Sequence, residues 1–315
     1  TGSQRMQNRP ISILVDALRS LGADISYKKK EGYPPLRIKG TQLNKSRVKI
    51  HGNVSSQYIS ALLLMAPGLK NGLEVELLGK VTSVPYIKMT LALLNDLDIK
   101  YSWKENLIRI DPKDSIKDSL ITVESDWSSA SYFYSLVALS GSGKVTLSSY
   151  KKNSLQGDSS LVEIYKNFGV STHFENDRIT LEKEKIKMVP LKLDLSDSPD
   201  LAQTIAVTCF GLGMACDLTG LHTLKIKETD RLVALQQELE KLGADISVTD
   251  KSLHLKAGSR INKDILIKTY DDHRMAMAFA PLALKTSITI NDADVVSKSY
   301  PDFWNDLKKV GFQIN

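Results

Sequence analysis

LVALQQELEKLGADISV, residues 232–248, reads as an amphipathic helix, a glycine stop and a short strand. Leucines at 232, 235, 239 and 242 recur at the spacing of one helical face. Gly243 stands where a helix takes a left-handed closing residue. The same piece returns as LVDALRSLGADISY (14–27), MTLALLNDLDIKYSW (89–103), LVEIYKNFGVSTHF (161–174) and FWNDLKKVGFQIN (303–315). Aligning Asp24, Asp98, Ser171, Asp245 and Gln313 gives spacings of 74, 73, 74 and 68 residues. A chain that repeats itself at this period is an array, and the repeat decides its architecture.

A second piece recurs out of phase with the first, a polar opening followed by an apolar helix. It appears as SSQYISALLLMAP (55–67), SSASYFYSLVALSG (128–141), PDLAQTIAVTCFGLG (199–213) and DHRMAMAFAPLAL (272–284). Ser55, Ser128, Asp200 and His273 lie 73, 72 and 73 residues apart. Strand-like runs separate the pieces: LEVELLG, KVTLSS, TLKI and SITIND in the middle of each unit, and NLIRI, DRITLE and SLHLK at its close. The unit is therefore βαβαββ in an α/β protein. Its first helix is apolar on every face and should be wholly buried; its second should lie nearer the surface. Complete units are expected near 47–112, 121–185 and 190–258, with half a unit in 1–40 and a last unit from about 264 without its final strand. With units incomplete at both ends, that reads as a fragment. Residues 1–122 would be a partial N-terminal-side domain, and residues 123–315 a C-terminal-side domain of three units.

Composition narrows the function classes. A chain of 315 residues can bury two sizeable cores. No apolar run reaches bilayer-spanning length, so no membrane partner is expected. Cys209 and Cys216 share one apolar segment without disulfide or metal spacing, and read as buried thiols of a cytoplasmic protein. No metal is expected. The formal charge of +6 points to anionic partners. The lysines are dispersed and no aromatic-studded basic motif occurs, which favours small anions over nucleic acid. GSGK (141–144) mimics a phosphate loop, but Ala138 replaces its first glycine and Val145 its Ser/Thr, so it reads as a turn.

Unusual polar residues gather where helices begin. Arg9 precedes Pro10, a first-turn proline. Ser55, Ser56 and Gln57 open the first apolar helix, Ser198, Pro199 and Asp200 the third, and Asp272, His273 and Arg274 the fourth. Lys227 to Arg231 open an amphipathic helix after the strand TLKI, and Lys298 precedes SYPDFW. Helix N-termini suit phosphates and carboxylates. Cations there oppose the helix dipole, so their accumulation argues for bound anions, and arginine forks match carboxylate and phosphate oxygens. Taken singly, serines and aspartates cap helices, a lone histidine is more often structural, and KETDR is a solvated corner. Recurrence at equivalent corners makes them a candidate site.

NRPISILVDALRSLGADI (8–25), EGYPPLRI (31–38), GNVSSQYISALLL (52–64), VPYI (84–87), KETDR (227–231), DDHRMAMAF (271–279) and KSYPDFW (298–304) together resemble the 5-enolpyruvylshikimate-3-phosphate synthase family. The resemblance implies the two-domain enolpyruvyl transferase fold, an inside-out α/β barrel with apolar helices at each domain centre. It implies transfer of the enolpyruvyl group of phosphoenolpyruvate to the 5-hydroxyl of shikimate 3-phosphate with release of phosphate, on the shikimate route to aromatic amino acids. No cofactor is implied, and a monomer in the full-length form. Ser55, Ser56, Gln57, Ser83, Tyr86 and Lys227 would hold shikimate 3-phosphate. Arg9, Arg231, Arg274 and Lys298 would hold phosphoenolpyruvate, supported by Asp272 and His273. Asp200 would touch shikimate 3-phosphate and accept the proton of its attacking hydroxyl, and Glu228 would move the proton at the methylene carbon. Asp230 would orient Arg231 or cap the helix. Thr223 stands where members often carry an asparagine that touches substrate. The family's Lys-Ser…Arg motif and Gly-Asn-Ala-Gly-Thr loop would lie upstream of Thr1, so this chain alone is expected to be weakly active or inactive.

Other readings stay open at this point. UDP-N-acetylglucosamine enolpyruvyl transferases share the architecture and a related reaction. A chain that binds shikimate 3-phosphate without turning it over would carry the same motifs. RNA 3′-phosphate cyclases share related units, but nothing here supports nucleotide chemistry.

Overall fold

The computed structural model describes residues 1–2, 4, 6–53, 55–258 and 260–314. Its contacts divide the chain into two compact units, Thr1–Thr122 and Val123–Asn315, each with its own apolar core. In the first, α1 (Ser12–Leu21) closes on Gly22 at φ 108, a left-handed turn that glycine takes without a Cβ clash. β1 (Asp24–Tyr27) and β2 (Leu36–Lys39) pair antiparallel. One whole repeat follows: β3 (Arg47–His51), α2 (Ser56–Met65), β4 (Leu73–Leu78), α3 (Val84–Asp96), β5 (Tyr101–Lys104) and β6 (Leu107–Ile110). The sheet order is β3-β4-β6-β5, with β3 and β4 parallel and the other pairs antiparallel.

The second unit carries three copies. The first is α4 (Trp127–Leu139), β7 (Lys144–Ser148), α5 (Leu161–Ile164), β8 (Val170–Glu175) and β9 (Arg178–Lys183). Next come β10 (Leu191–Asp194), α6 (Ala202–Leu212), β11 (Cys216–Thr219), α7 (Arg231–Lys241), β12 (Ile246–Val248) and β13 (Leu253–Leu255). The last is β14 (Ile265–Ile267), α8 (His273–Phe279), β15 (Ile288–Ile290) and α9 (Phe303–Lys309). α4, α6 and α8 pack on one another and are buried almost throughout, as apolarity on all faces requires. Sheets β7-β9-β8, β10-β11-β13-β12 and β14-β15 contribute their buried residues to the same core. The repeat shows in the bonds between α4 and α6. Ser131 meets Thr204 at 3.0 Å and Thr208 donates to Ser135 at 2.8 Å, each pair 73 residues apart. Cys209 and Cys216 are buried and free. No helix among the described residues is long and apolar enough to cross a membrane.

The structure corrects several local expectations, among them the short strand expected after Gly311, which residues 312–314 do not form. α2 is not buried on all sides: Leu62 and Leu63 are, while Leu64 is 58% exposed. It packs on α3 and its own sheet, whereas α4, α6 and α8 enclose one another. Pro10 is not in the first turn of α1, which begins at Ser12; its carbonyl instead accepts from the Tyr58 hydroxyl at 2.6 Å. TLKI is not a strand. β11 ends at Thr219, and Gly220 turns the chain at φ 78, where a Cβ would lie 2.4 Å from Asp194 Oδ1. Leu221 and Leu224, three residues apart, then enter the core from a 3-10 turn over His222–Ile226. Finally, residues 121–185 lack an opening strand among the described residues. Leu120 and Val123 are 97% and 82% exposed, so no burial offsets the cost of ordering that segment.

Candidate active site

In each repeat that keeps its opening strand, that strand runs parallel to the middle one, so the helices that follow both begin at the same edge of the sheet. Pairing of β10 with β11 sets the Ser198–Asp200 corner beside Lys227–Arg231. Pairing of β14 with β15 sets Asp272–Arg274 beside Lys298, whose Nζ donates to Asp271 O at 3.1 Å. Backbone topology thus gathers corners that are far apart in sequence.

Arg231 is the centre of the cluster and is 2% exposed. Its Nε donates to Asp272 Oδ2 at 2.6 Å and its Nη1 to Asp200 Oδ1 at 2.8 Å. Its Nη2 donates to Glu228 Oε2 at 2.6 Å and Asp272 Oδ1 at 3.4 Å. Asp200 also meets Arg274 Nη2 at 3.1 Å and Lys227 Nζ at 3.4 Å. Three carboxylates and three cations therefore interlock in one polar cluster. Asp230 caps α7 through Val233 N, and Asp272 caps α8 through Arg274 N at 2.9 Å. Burial pushes the Asp200 carboxyl up, but Arg274, Lys227 and Arg231 together hold it well below the usual carboxylate range.

His273 opens α8 with its ring buried. Desolvation, reinforced by Arg274, lowers its pKa below the ordinary 6.5, so the ring is neutral near pH 7. Its 3.9 Å approach to Asp272 is thus not an ion pair at that pH. In the unfolded chain the same ring takes its proton near pH 6.5, so the unfolded state binds more protons below that value and stability falls with pH there. The slope of unfolding free energy between about pH 6.5 and 5 should flatten in His273→Asn, as urea titrations at each pH would read.

In the first unit, Ser55 stands at the N-cap position of α2, with Ser56 and Gln57 in its first turn. Tyr58, one residue on, binds Pro10 O and so ties the chain beside Arg9 to this helix start. Ser83, 8% exposed, holds a left-handed φ of 54 at the start of α3, ahead of Tyr86. β3 and β4 are parallel, so the two serine corners begin at one edge of the sheet. Thr223 lies in the 3-10 turn before Lys227, and its buried Oγ1 has no partner among the described residues.

Three neighbours escaped the sequence reading. Ser128 and Asp158 join the cluster through Arg274, which donates to Ser128 Oγ at 3.3 Å. The signal was present for Ser128, which occupies the repeat position of Ser55. The third is the backbone before Asp272: Tyr270 and Asp271 have φ of 53 and 56, a region that costs a bulky residue about 1–3 kcal/mol. The Tyr270 hydroxyl, bonded to Gln237 at 2.8 Å and Glu238 at 2.6 Å on α7, holds that turn. No residue pattern announces it.

A family model described as EPSP synthase (3-phosphoshikimate 1-carboxyvinyltransferase) matches residues 1–307. A 3-phosphoshikimate 1-carboxyvinyltransferase of Bacteroides fragilis is 48% identical over 318 residues, covering 100% of this chain and 77% of the relative. One of Haemophilus influenzae is 38% identical, covering 98% and 72%. The EPSP synthase structure from Acinetobacter baumannii superposes with a TM-score of 0.77 at 22% identity, over 100% of this chain and 74% of that one. The enolpyruvyl transferase NikO from Streptomyces tendae gives 0.74 at 14% identity, over 96% and 71%. At such identities the two structures speak to the fold, which they share with this chain.

Proposed function

The chain belongs to the EPSP synthase family of carboxyvinyltransferases, and we propose that it moves the enolpyruvyl group of phosphoenolpyruvate onto the 5-hydroxyl of shikimate 3-phosphate, releasing phosphate. One observation supports this most: Asp200 and Glu228 share the Arg231 guanidinium, which sets two carboxylates with different neighbours in one cluster of cations. The reaction needs such a pair. Asp200 takes the hydroxyl proton as that oxygen bonds to C2 of the enol, while the Glu228 carboxyl, which must enter the step protonated, gives that proton to the methylene carbon. The bond from C2 to the phosphate oxygen then breaks, phosphate leaves, and a methyl proton returns to Glu228 to restore the vinyl group.

Arg274, Lys298 and Arg9 are assigned to the phosphoenolpyruvate anion, where fixed cations stabilise charge on the departing phosphate. Lys227, Ser55, Ser56, Gln57, Ser83, Tyr86 and Thr223 are assigned to shikimate 3-phosphate. Arg231 fits its expected role less simply. Its bonds to Asp272, Asp200 and Glu228 use four of its five N–H groups on carboxylates. A phosphoenolpyruvate contact must then use the fifth or displace Glu228, so Arg231 serves first to hold the two reacting carboxylates. The free buried cysteines fit a reducing cytoplasm.

Phosphate release on mixing the protein with phosphoenolpyruvate and shikimate 3-phosphate tests the reading. Glu228→Ala should slow it about a hundredfold or more. An unchanged rate in that variant removes Glu228 from the chemistry. Release with UDP-N-acetylglucosamine in place of shikimate 3-phosphate would reassign the substrate.

A further inference from the structure

A second buried pair adjoins the cluster and takes no part in the steps above. Asp158, in the 3-10 turn Gly157–Ser160, is 1% exposed, and Ser128, in the first turn of α4, is 5% exposed. The Ser128 hydroxyl donates to Asp158 Oδ2. With its proton committed there, Ser128 Oγ turns lone pairs to Arg274, whose Nη2 donates to it at 3.3 Å and to Asp200 Oδ2 at 3.1 Å. Gln156 locks the same turn to the start of α4: its Oε1 accepts from Trp127 N at 2.9 Å and its Nε2 donates to Ser125 O at 2.8 Å. A carboxylate buried this fully is costly unless it is bonded and its charge balanced, and Arg274 lies one hydroxyl away.

We propose that Asp158 is a positioning residue: acting through Ser128, it holds the Arg274 guanidinium in the orientation that receives the phosphoenolpyruvate anion. The inference rests on the assignment of Arg274 to that substrate. Asp158 fixes which way the serine hydroxyl points. Without it, Ser128 can turn its proton toward the guanidinium, and Arg274 loses an acceptor and falls back on Asp200.

The test is calorimetric titration of phosphoenolpyruvate, and separately of shikimate 3-phosphate, each into the protein without the other substrate, so that no turnover occurs. Asp158→Ala and Ser128→Ala should each weaken phosphoenolpyruvate binding about tenfold, the scale of one hydrogen bond to a charged group, and change shikimate 3-phosphate affinity less than about twofold. Asp158→Asn keeps an acceptor for Ser128 and should recover most of the loss. The Asp158→Ala/Ser128→Ala double variant should bind no more weakly than the weaker single variant, because both act through one chain of contacts. Equal weakening of both substrates, or full additivity, overturns the proposal. Arg274→Ala separates the two readings. If it leaves phosphoenolpyruvate affinity unchanged, the assignment of Arg274 fails. If it weakens that affinity while Ser128→Ala does not, only the positioning role fails. Ser128→Ala deletes a single hydroxyl and serves as the test if Asp158→Ala does not fold.

Discussion

Asp200→Asn should lower kcat by about a thousandfold, the range of a lost general base, with a smaller rise in KM for phosphoenolpyruvate. The amide keeps the shape of the carboxylate and still accepts from Arg231 Nη1, so the fold and the lesser effect on KM follow from what remains. What is lost is proton affinity. Within this cluster the Asp200 carboxyl is held far below its ordinary value of 3.8, which makes it a poor base. Two of the cations responsible, Lys227 and Arg274, are the ones assigned to the two anionic substrates. Substrate anions held by those cations would share them and return basicity to the carboxylate as the hydroxyl arrives. The sign for stability is opposite to that for catalysis. Pairing of Asp200 stabilises the fold above about pH 4 and that contribution is lost as pH falls below it, because the unfolded chain takes the proton first. Steady-state phosphate release by the two forms decides the matter. A kcat within tenfold of the parent would remove Asp200 as the base.

Much of this arrangement was legible before any coordinate, and the reason lies in the repeat. Ser55, Asp200 and His273 could be aligned because each follows a strand of the same unit, and a parallel strand pair leaves the two following helices no choice of edge. The buried central helices were equally plain from their lack of a polar face. What failed were features set by neighbours in space. TLKI has the composition of a strand, but Gly220 ends β11 early and Leu221 and Leu224 are drawn into the core as a 3-10 turn. α2 has the same apolar pattern as α6, and differs only in having fewer like helices to pack upon. The sequence is also silent on what its cations hold within the protein: Arg231 is engaged by Asp200, Glu228 and Asp272, and no spacing rule announces it.

That engagement sets the second large effect. Arg231→Met should destabilise the second unit by about 3–5 kcal/mol, since it leaves buried carboxylates without their partner. Asp272 is the most costly of them at 0% exposure, because water cannot replace the arginine there. Arg231→Lys should fall between the two. An ammonium restores the charge but cannot span Asp272, Asp200 and Glu228 at once as the planar fork does. Adding Asp272→Asn to Arg231→Met should recover part of the loss, since it removes the charge that the arginine neutralised. Urea unfolding midpoints of the four forms give the order directly. If Arg231→Lys is as stable as the parent and only raises KM for phosphoenolpyruvate, the arginine is a substrate receptor after all. If stability falls in the order given, Arg231 holds the reacting carboxylates in place, and the cost of burying them is part of how the site is kept preorganised.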